Sequence, residues 1–380
     1  MGKLKNVLLV LGLVILLAGI GWYFSREWLM QQFFSPSDSA TTEGVSEVSD
    51  RQQSEIEVIA TSLDVPWEVL QLPSGDLLVT ERSGNLVRIG QGEQRYKIDG
   101  VAHRGEGGLL GMALHPEFEG NQQIYLYMTT ETAGGLTNRV ERYKYNENGL
   151  SERTSILEGI PGASYHDGGR IAFGPDGYLY ITTGDAGDTA LAQSTSSLAG
   201  KILRVDENGE IPDDNPFGNA VHSYGHRNPQ GIAWDDQGRM WSSEHGRSGR
   251  LSGMDELNLI ERGVNYGWPV IEGDETREGM QAPVIHSGSD VTWAPASLTY
   301  WDGSLFFGGL RGVTLYEARL GEGESVDLQA HLRDEYGRIR AVTVIYNDQL
   351  YITTSNTDGR GVERSGDDKL IRISGGVFRD

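Results

Sequence analysis

Two short segments carry the side chains best suited to chemistry. The first is Tyr165-His166-Asp167-Gly168-Gly169-Arg170, followed by a strand-like run from Ile171 to Thr183. A histidine with a carboxylate beside it, in a glycine-flanked turn entering a strand, offers a basic nitrogen at a strand mouth. Imidazole is the side chain whose ordinary pKa suits proton abstraction near neutrality. The second segment, Tyr224-Gly225-His226-Arg227-Asn228-Pro229-Gln230-Gly231, supplies a guanidinium and an amide in another turn. Each has a plainer reading, His166 as a structural histidine and Arg227-Asn228 as a turn pair. We expect both segments to face one pocket.

Three further segments have chemical content. Arg104-Gly105-Glu106-Gly107-Gly108-Leu109-Leu110-Gly111 is glycine-rich, but no Lys-Ser/Thr follows, so it is not a phosphate loop. It is either a tight connection or a place where backbone and Glu106 approach a flat ligand. Arg338 and Arg340 share one side of a strand by the period of two, and two guanidiniums on one face suggest a polycarboxylate ligand. Ser243-Glu244-His245-Gly246-Arg247, Asp255-Glu256-Leu257-Asn258 and Gly263-Val264-Asn265-Tyr266-Gly267-Trp268-Pro269 cluster carboxylates with glycine-rich backbone. Such hard oxygen donors suit calcium, although the spacing is not that of the helix-loop-helix calcium loop.

These residues need a scaffold, and a recurring unit describes it: a turn with Gly or Asn and Asp, then a short β-rich strand. Copies fall at 73–80, 119–127, 175–182, 235–242, 301–307 and 346–353, several followed by runs such as Asn85–Ile89, Lys201–Val205 or Lys369–Ile373. Six copies over about 320 residues, about 53 per copy, is the size of a propeller blade with long loops. The expected fold is all-β, a six-bladed β-propeller over 55–380, with the loops of one end gathering distant motifs.

Composition agrees. The 380 residues include 52 Gly and 12 Pro, which favours short strands and tight turns over long helices. A formal charge of −22 argues against nucleic-acid binding, and the lack of cysteine excludes disulfides, thiolate catalysis and thiolate-bound metals. Before the propeller, Lys3 and Lys5 precede an uncharged apolar run from Asn6 to Ser25, long enough for a membrane-spanning helix. Its basic flank places the N-terminus in the cytoplasm and exports the rest to the periplasmic face. An uncleaved signal anchor over 1–25 is the expectation, and a cleaved signal peptide the alternative. Residues 26–54 are read as an acidic flexible linker, since their polar stretch cannot bury a core.

Together the motifs resemble the soluble quinoprotein sugar dehydrogenases, the glucose/sorbosone dehydrogenase family, and within it the aldose sugar dehydrogenases. The matching elements are Gly105-Glu106-Gly107-Gly108-Leu109-Leu110-Gly111 with His115-Pro116-Glu117-Phe118, His166 with Gly169-Arg170, and Gly174-Pro175-Asp176-Gly177. They continue with Gly225 to Gly231, Asp255 to Asn258, Asn265-Tyr266-Gly267-Trp268-Pro269, and Arg338 with Arg340. The resemblance implies a propeller that binds pyrroloquinoline quinone (PQQ) and Ca2+ and oxidises the anomeric hydroxyl of aldoses to lactones. It implies His166 as general base with Asp167 supporting it, Arg227 and Asn228 contacting cofactor and substrate, and Arg338 and Arg340 holding cofactor carboxylates. Backbone carbonyls of Gly246 and Arg247 would hold the cofactor's calcium, and a second calcium would lie near Glu256 and Tyr266.

Two positions depart from the family pattern. Glu106 stands where better-known members have Gln, and the family's cofactor-binding Lys has no clear counterpart, with Arg311 in its neighbourhood. An electron acceptor such as a membrane quinone or periplasmic cytochrome is implied. The alternatives are a membrane-tethered binding propeller without activity and a calcium-dependent lactonase-type hydrolase. Loops 130–138, 274–292 and 354–366 are expected to set pocket width. Trp293, Tyr300 and Trp301 are candidates either for ring stacking or for core packing.

Overall fold

The computed structural model describes residues 45–47, 55–247, 253–345 and 349–378. The proposed anchor and nearly all of the proposed linker lie outside these residues. Among those described, no helix is long and apolar enough to cross a membrane.

Six sheets follow one another around the ring, each with four antiparallel strands and the fifth with one strand more. Their innermost strands are Pro66–Gln71, Leu109–Leu114, Ile171–Phe173, Pro229–Trp234, Pro295–Trp301 and Ile339–Ile345. The expected six-bladed propeller is the fold observed. The six turn-plus-strand copies read from the sequence are the second strands of the six blades: Leu77–Glu81, Gln123–Thr132, Leu179–Thr183, Met240–Glu244, Ser304–Gly309 and Gln349–Thr354. The run Ile171 to Thr183 is a hairpin rather than one strand, because Gly174 to Gly177 turns the chain between Phe173 and Leu179. The ring closes by strand exchange: Ile56–Ala60 pairs with Leu370–Ser374 and supplies the outer strand of the last blade. Ser46–Glu47, assigned to the linker by sequence, adds a short parallel strand to the fifth blade at Gln329 and Ala330.

Burial shows why these sequences make blades. Leu77–Glu81, Leu179–Thr183 and Lys201–Val205 are buried at every position, while the outer strand Glu93–Lys97 is largely exposed. A strand covered on both faces by neighbouring sheets loses the usual apolar–polar alternation; an outer strand meets water. The apolar side chains form six clusters, one at each blade interface. Leu78 and Leu86 meet Met112 and Leu126, Tyr127 meets Ile181, Ile202 meets Met240, and Trp241 meets Phe307. Phe306 meets Ile352, and Val79 meets Ala341 to complete the circle. Each large side chain so buried contributes roughly 1.5–3 kcal/mol.

The antiparallel meander also decides where function collects. The start of a blade's first strand and the end of its second lie at the same end of the channel. Glu106, His166, Arg227 and Arg338 precede first strands; Arg82, Asp185, His245, Arg311 and Asp358 follow second strands. The opposite end holds a separate apolar cavity of about 780 Å³, lined among others by Leu70, Leu114, Phe173, Trp301 and Ile345.

Candidate active site

His166 is held in a left-handed conformation, φ 61°. Its backbone N–H donates to Glu106 Oε2 at 2.9 Å, and Gly168 N–H donates to Asn228 Oδ1 at 3.0 Å. Gly168, itself at φ 63°, lies so close to the second strand that a Cβ there would sit 2.6 Å from the Thr182 carbonyl oxygen. Thus the glycines beside His166 let the turn pack down on its own blade. The imidazole stays partly accessible, with 12% of its side chain exposed.

The carboxylate on this imidazole is Asp185, not Asp167. His166 Nδ1 and Asp185 Oδ1 are 2.7 Å apart, and Asp185 also accepts from Gly187 N–H at 2.8 Å and Trp268 Nε1 at 2.9 Å. Burial pushes the Asp185 pKa up, but the bonds from His166, Gly187 and Trp268 outweigh it and hold the group below its ordinary value. A carboxylate at Nδ1 fixes that proton there and leaves Nε2 as the basic atom. Asp167 turns into the protein: its Oδ1 accepts from Asn138 Nδ2 at 2.9 Å and Ala163 N–H at 3.1 Å. Its second oxygen has no partner, and burial raises its pKa to about 6. The sequence signal for Asp185 was available, an acid in a Gly-Asp-Ala-Gly turn just past the second strand of the same blade.

The arginines converge as expected and are mostly buried. Arg338 donates to Asp358 at 2.8 Å and to the carbonyls of Leu310 at 2.9 Å and Ser355 at 3.2 Å. Arg338 stands one residue before its strand, and the pairing slips between Ile339 and Val342, so simple alternation is not what unites it with Arg340. Arg340 bonds Gln230 Oε1, and Arg82 bonds the Gly105 carbonyl and His103. These acceptors are neutral. Burial lowers the pKa of Arg340 to about 9 and also lowers those of Arg82, Arg227 and Arg311. Arg82 was not anticipated, although it directly follows a second strand.

Glu106 is not an isolated anion. It pairs with Arg360 Nη1 at 2.6 Å. Burial alone would raise its pKa, but Arg360 and the His166 N–H bring it well below the ordinary value. The loop 354–366 supplies this Arg360 as well as Asp358.

The acidic segments 243–247 and 255–258 mostly brace backbone. Glu244 accepts from His226 Nδ1 at 2.8 Å, Asn228 N–H at 3.2 Å and Arg227 N–H. Asp255 accepts from Gly246, Trp293 and Ala294 N–H groups and the Thr292 hydroxyl at 2.7–2.9 Å. Among the described residues no three His, Asp or Glu side chains gather to hold a metal. Glu256 is pushed up in pKa by burial and by Glu244, and its Oε2 accepts from Asn258 at 3.0 Å. Tyr266 stacks on His226 at 4.8 Å, and its hydroxyl donates to the Leu259 carbonyl. His245, quoted above only within the acidic cluster, is held neutral by burial, its pKa lowered to about 3; its charge neighbours include Glu106, Arg340, Arg227 and His166. Its Nε2 has no partner.

Of the aromatic candidates, Trp293 packs in the core with Phe307 and Tyr316, Tyr300 bonds Asp236, and Trp301 lies by the far cavity. Aromatic rings at the site include Tyr165, edge-on to His166, Trp268, under Arg227 at 5.3 Å, and the buried Trp67, under Arg340 at 5.8 Å.

The family model for glucose / sorbosone dehydrogenase matches residues 63–371. A PQQ-bound aldose sugar dehydrogenase from Streptomyces coelicolor is 41% identical, with a TM-score of 0.78, covering 84% of this chain and 97% of that one. An aldose sugar dehydrogenase of Escherichia coli is 31% identical over 342 residues, 80% of this chain and 91% of the relative. Quinoprotein glucose dehydrogenase B of Acinetobacter calcoaceticus is 34% identical over 260 residues, 58% of this chain and 54% of the relative.

Proposed function

The chain belongs to the glucose / sorbosone dehydrogenase family, and we propose that it oxidises the anomeric hydroxyl of aldoses to lactones with PQQ as bound oxidant and His166 as base. The observation that carries this is the His166–Asp185 pair set beside Arg82 and Arg340, two buried guanidiniums whose hydrogen bonds among the described residues go to neutral acceptors. Arg82 Nε and Arg340 Nε have no partner, and both groups lose basicity through burial. A tricarboxylate fits such a mouth, because buried cations are costly until an anion neutralises them.

Arg82, Arg338 and Arg340 would hold the cofactor's carboxylates, with Arg227, Asn228 and Arg311 around it and Gly246 and Arg247 offering carbonyls to its calcium. Bound PQQ would supply the hydride acceptor, and a calcium ion held with it would make it more electrophilic. The protein's own part is proton chemistry and positioning. Nε2 of His166 takes the proton of the anomeric hydroxyl as the C–H bond breaks. Asp185 stabilises the imidazolium that results and keeps the ring from turning. Asn228 and Glu106 hold the turn that carries the base, through the N–H groups of Gly168 and His166. The second calcium that the resemblance implies would lie near Glu256, which stands opposite Glu244 on the paired strand, and Tyr266.

Family membership sets the lactonase reading aside. Arg360 neutralises Glu106, so this departure from the family pattern sets no unpaired anion against a carboxylate-bearing cofactor; the absent family Lys, with Arg311 in its neighbourhood, is what still favours the inactive-binding reading. The test is reconstitution with PQQ and Ca2+, using an artificial dye to follow oxidation of aldoses. Dye reduction that needs both additions and is lost in His166→Ala supports the proposal. No PQQ binding at micromolar concentration would return the chain to a tethered binding propeller.

We further propose an exported enzyme at the periplasmic face, anchored by residues 1–25 and passing electrons to a membrane quinone or a cytochrome. Full-length protein recovered in the soluble fraction after cell lysis would count against the anchor.

A further inference from the structure

We propose that Tyr165 is the platform on which the substrate's sugar ring lies, so that the site selects aldopyranoses with an unbroken equatorial face. This deepens the aldose reading and rests on it. Among the described residues the exposed large hydrophobic side chains are Val58, Tyr165, Ile211 and Val362, so Tyr165 is the aromatic side chain most open to solvent, at 43% exposure. Single exposed apolar side chains are ordinary. Position distinguishes this one.

Tyr165 directly precedes the base. The two rings meet edge to face, with centroids 4.9 Å apart and planes at 82°. The Tyr165 ring is also held from below: Gly187 is at φ 79°, and a Cβ there would lie 2.8 Å from the tyrosine hydroxyl oxygen. Gly187 belongs to the turn that donates to Asp185. The ring is therefore braced by both halves of the His166–Asp185 pair while part of it faces water. Trp268 flanks the same pair but is already engaged, its Nε1 on Asp185 and its face near Arg227.

A substrate whose anomeric hydroxyl reaches His166 Nε2 has its ring within about one sugar width of the imidazole, and so beside Tyr165. Pyranoses with equatorial hydroxyls present axial C–H groups on both faces, which pack on an aromatic face; an axial hydroxyl interrupts that patch and must lose water against the ring. Glucose and xylose share the unbroken pattern. Mannose breaks it at C2 and galactose at C4.

The experiment uses full-length protein loaded with PQQ and Ca2+, comparing wild type, Tyr165→Ala and Tyr165→Phe on these four sugars. Wild type is expected to favour glucose and xylose. Tyr165→Ala should raise KM for those two by about tenfold, leave kcat within about twofold with an unchanged pH profile, and flatten the preference across the four. Tyr165→Phe should behave as wild type, since the ring is the contact. KM values within twofold of wild type in Tyr165→Ala would overturn the platform. So would a fall in kcat with a displaced pH profile, which would make Tyr165 a brace for His166. Wild type inactive on every aldose would instead sink the parent reading, and this inference with it.

Discussion

His166 Nδ1 and Asp185 Oδ1 meet at 2.7 Å across the two strands of one hairpin, and Trp268 of the next blade closes the arrangement on the other carboxylate oxygen. The neighbour in sequence, Asp167, faces the opposite way. Replacing Asp185 by Asn keeps shape but permits the wrong imidazole tautomer and removes the charge that steadies the imidazolium. We expect Asp185→Asn to lower kcat by about 10²–10³-fold with PQQ affinity nearly unchanged. Steady-state kinetics beside a cofactor titration checks it; a loss confined to cofactor binding would contradict the assignment.

Glu106 and Arg360 form a pair at the rim of the site. In Glu106→Gln the amide oxygen still accepts from the His166 N–H, while Arg360 gains freedom to face an anionic ligand. PQQ should bind several-fold tighter, and Arg360→Met several-fold weaker, with both differences shrinking at high salt. Fluorescence titration at two ionic strengths separates these outcomes from a change in fold.

Arg340 shows how a binding site taxes stability. It is 5% exposed, has no carboxylate partner among the described residues, and keeps its Nε unpaired. Arg340→Met should leave the cofactor-free protein as stable as wild type or more so, because an unneutralised buried cation is removed. The same change should abolish most of the rise in Tm that PQQ gives wild type. Thermal scans with and without PQQ decide; a large drop in Tm without cofactor would show that Arg340 serves the fold.

Lys201 has a structural duty near the site. It is fully buried, and its Nζ donates to the carbonyls of Leu191, Ala192 and Ala199. These bonds tie down the segment between Asp185 and the third strand of the blade. Lys201→Met should cost about 1–3 kcal/mol by leaving the Ala199 carbonyl buried without its donor, while the Leu191 and Ala192 carbonyls keep the N–H groups of Ser194 and Gly225; the urea midpoint reads this. An unchanged midpoint would mean that water replaces the ammonium.

The propeller was legible because its second strands repeat a turn-and-strand pattern six times, and each repeat is one blade. His166, Arg227, Arg338 and Arg340 were legible from residue type and motif. Asp185, Arg82, Arg360 and His245 were less so, since each lies just past a second strand or in the long loop after one, far in sequence from what it touches. Adjacency misled at Asp167: a left-handed residue followed by a positive-φ glycine sends successive side chains apart. At Glu244 and Asp255 the carboxylate oxygens accept mainly from backbone N–H groups, with His226 and Thr292 side chains beside them, a bracing duty that acidic clustering in the sequence does not reveal.

Asp167 therefore has a consequence for stability rather than for proton transfer. Burial raises its pKa from 3.8 to about 6 in the folded protein. An acid with a raised folded pKa contributes stability that is fully present below its unfolded value and is lost as pH rises through the folded one. Between pH 4 and 6 the folded chain holds a proton that the unfolded chain has released, and by pH 8 the group is ionised with one buried oxygen unpartnered. Asp167→Asn keeps an acceptor for Asn138 and Ala163 and carries no charge at any pH. The variant should be more stable than wild type by about 1–3 kcal/mol at pH 8, with the advantage gone near pH 4. Urea unfolding at the two pH values measures this. The pH dependence of kcat should be the same in both proteins, since Asp167 makes no bond to the imidazole. A variant with a shifted kcat profile and no pH-dependent gain in stability would restore Asp167 to the base.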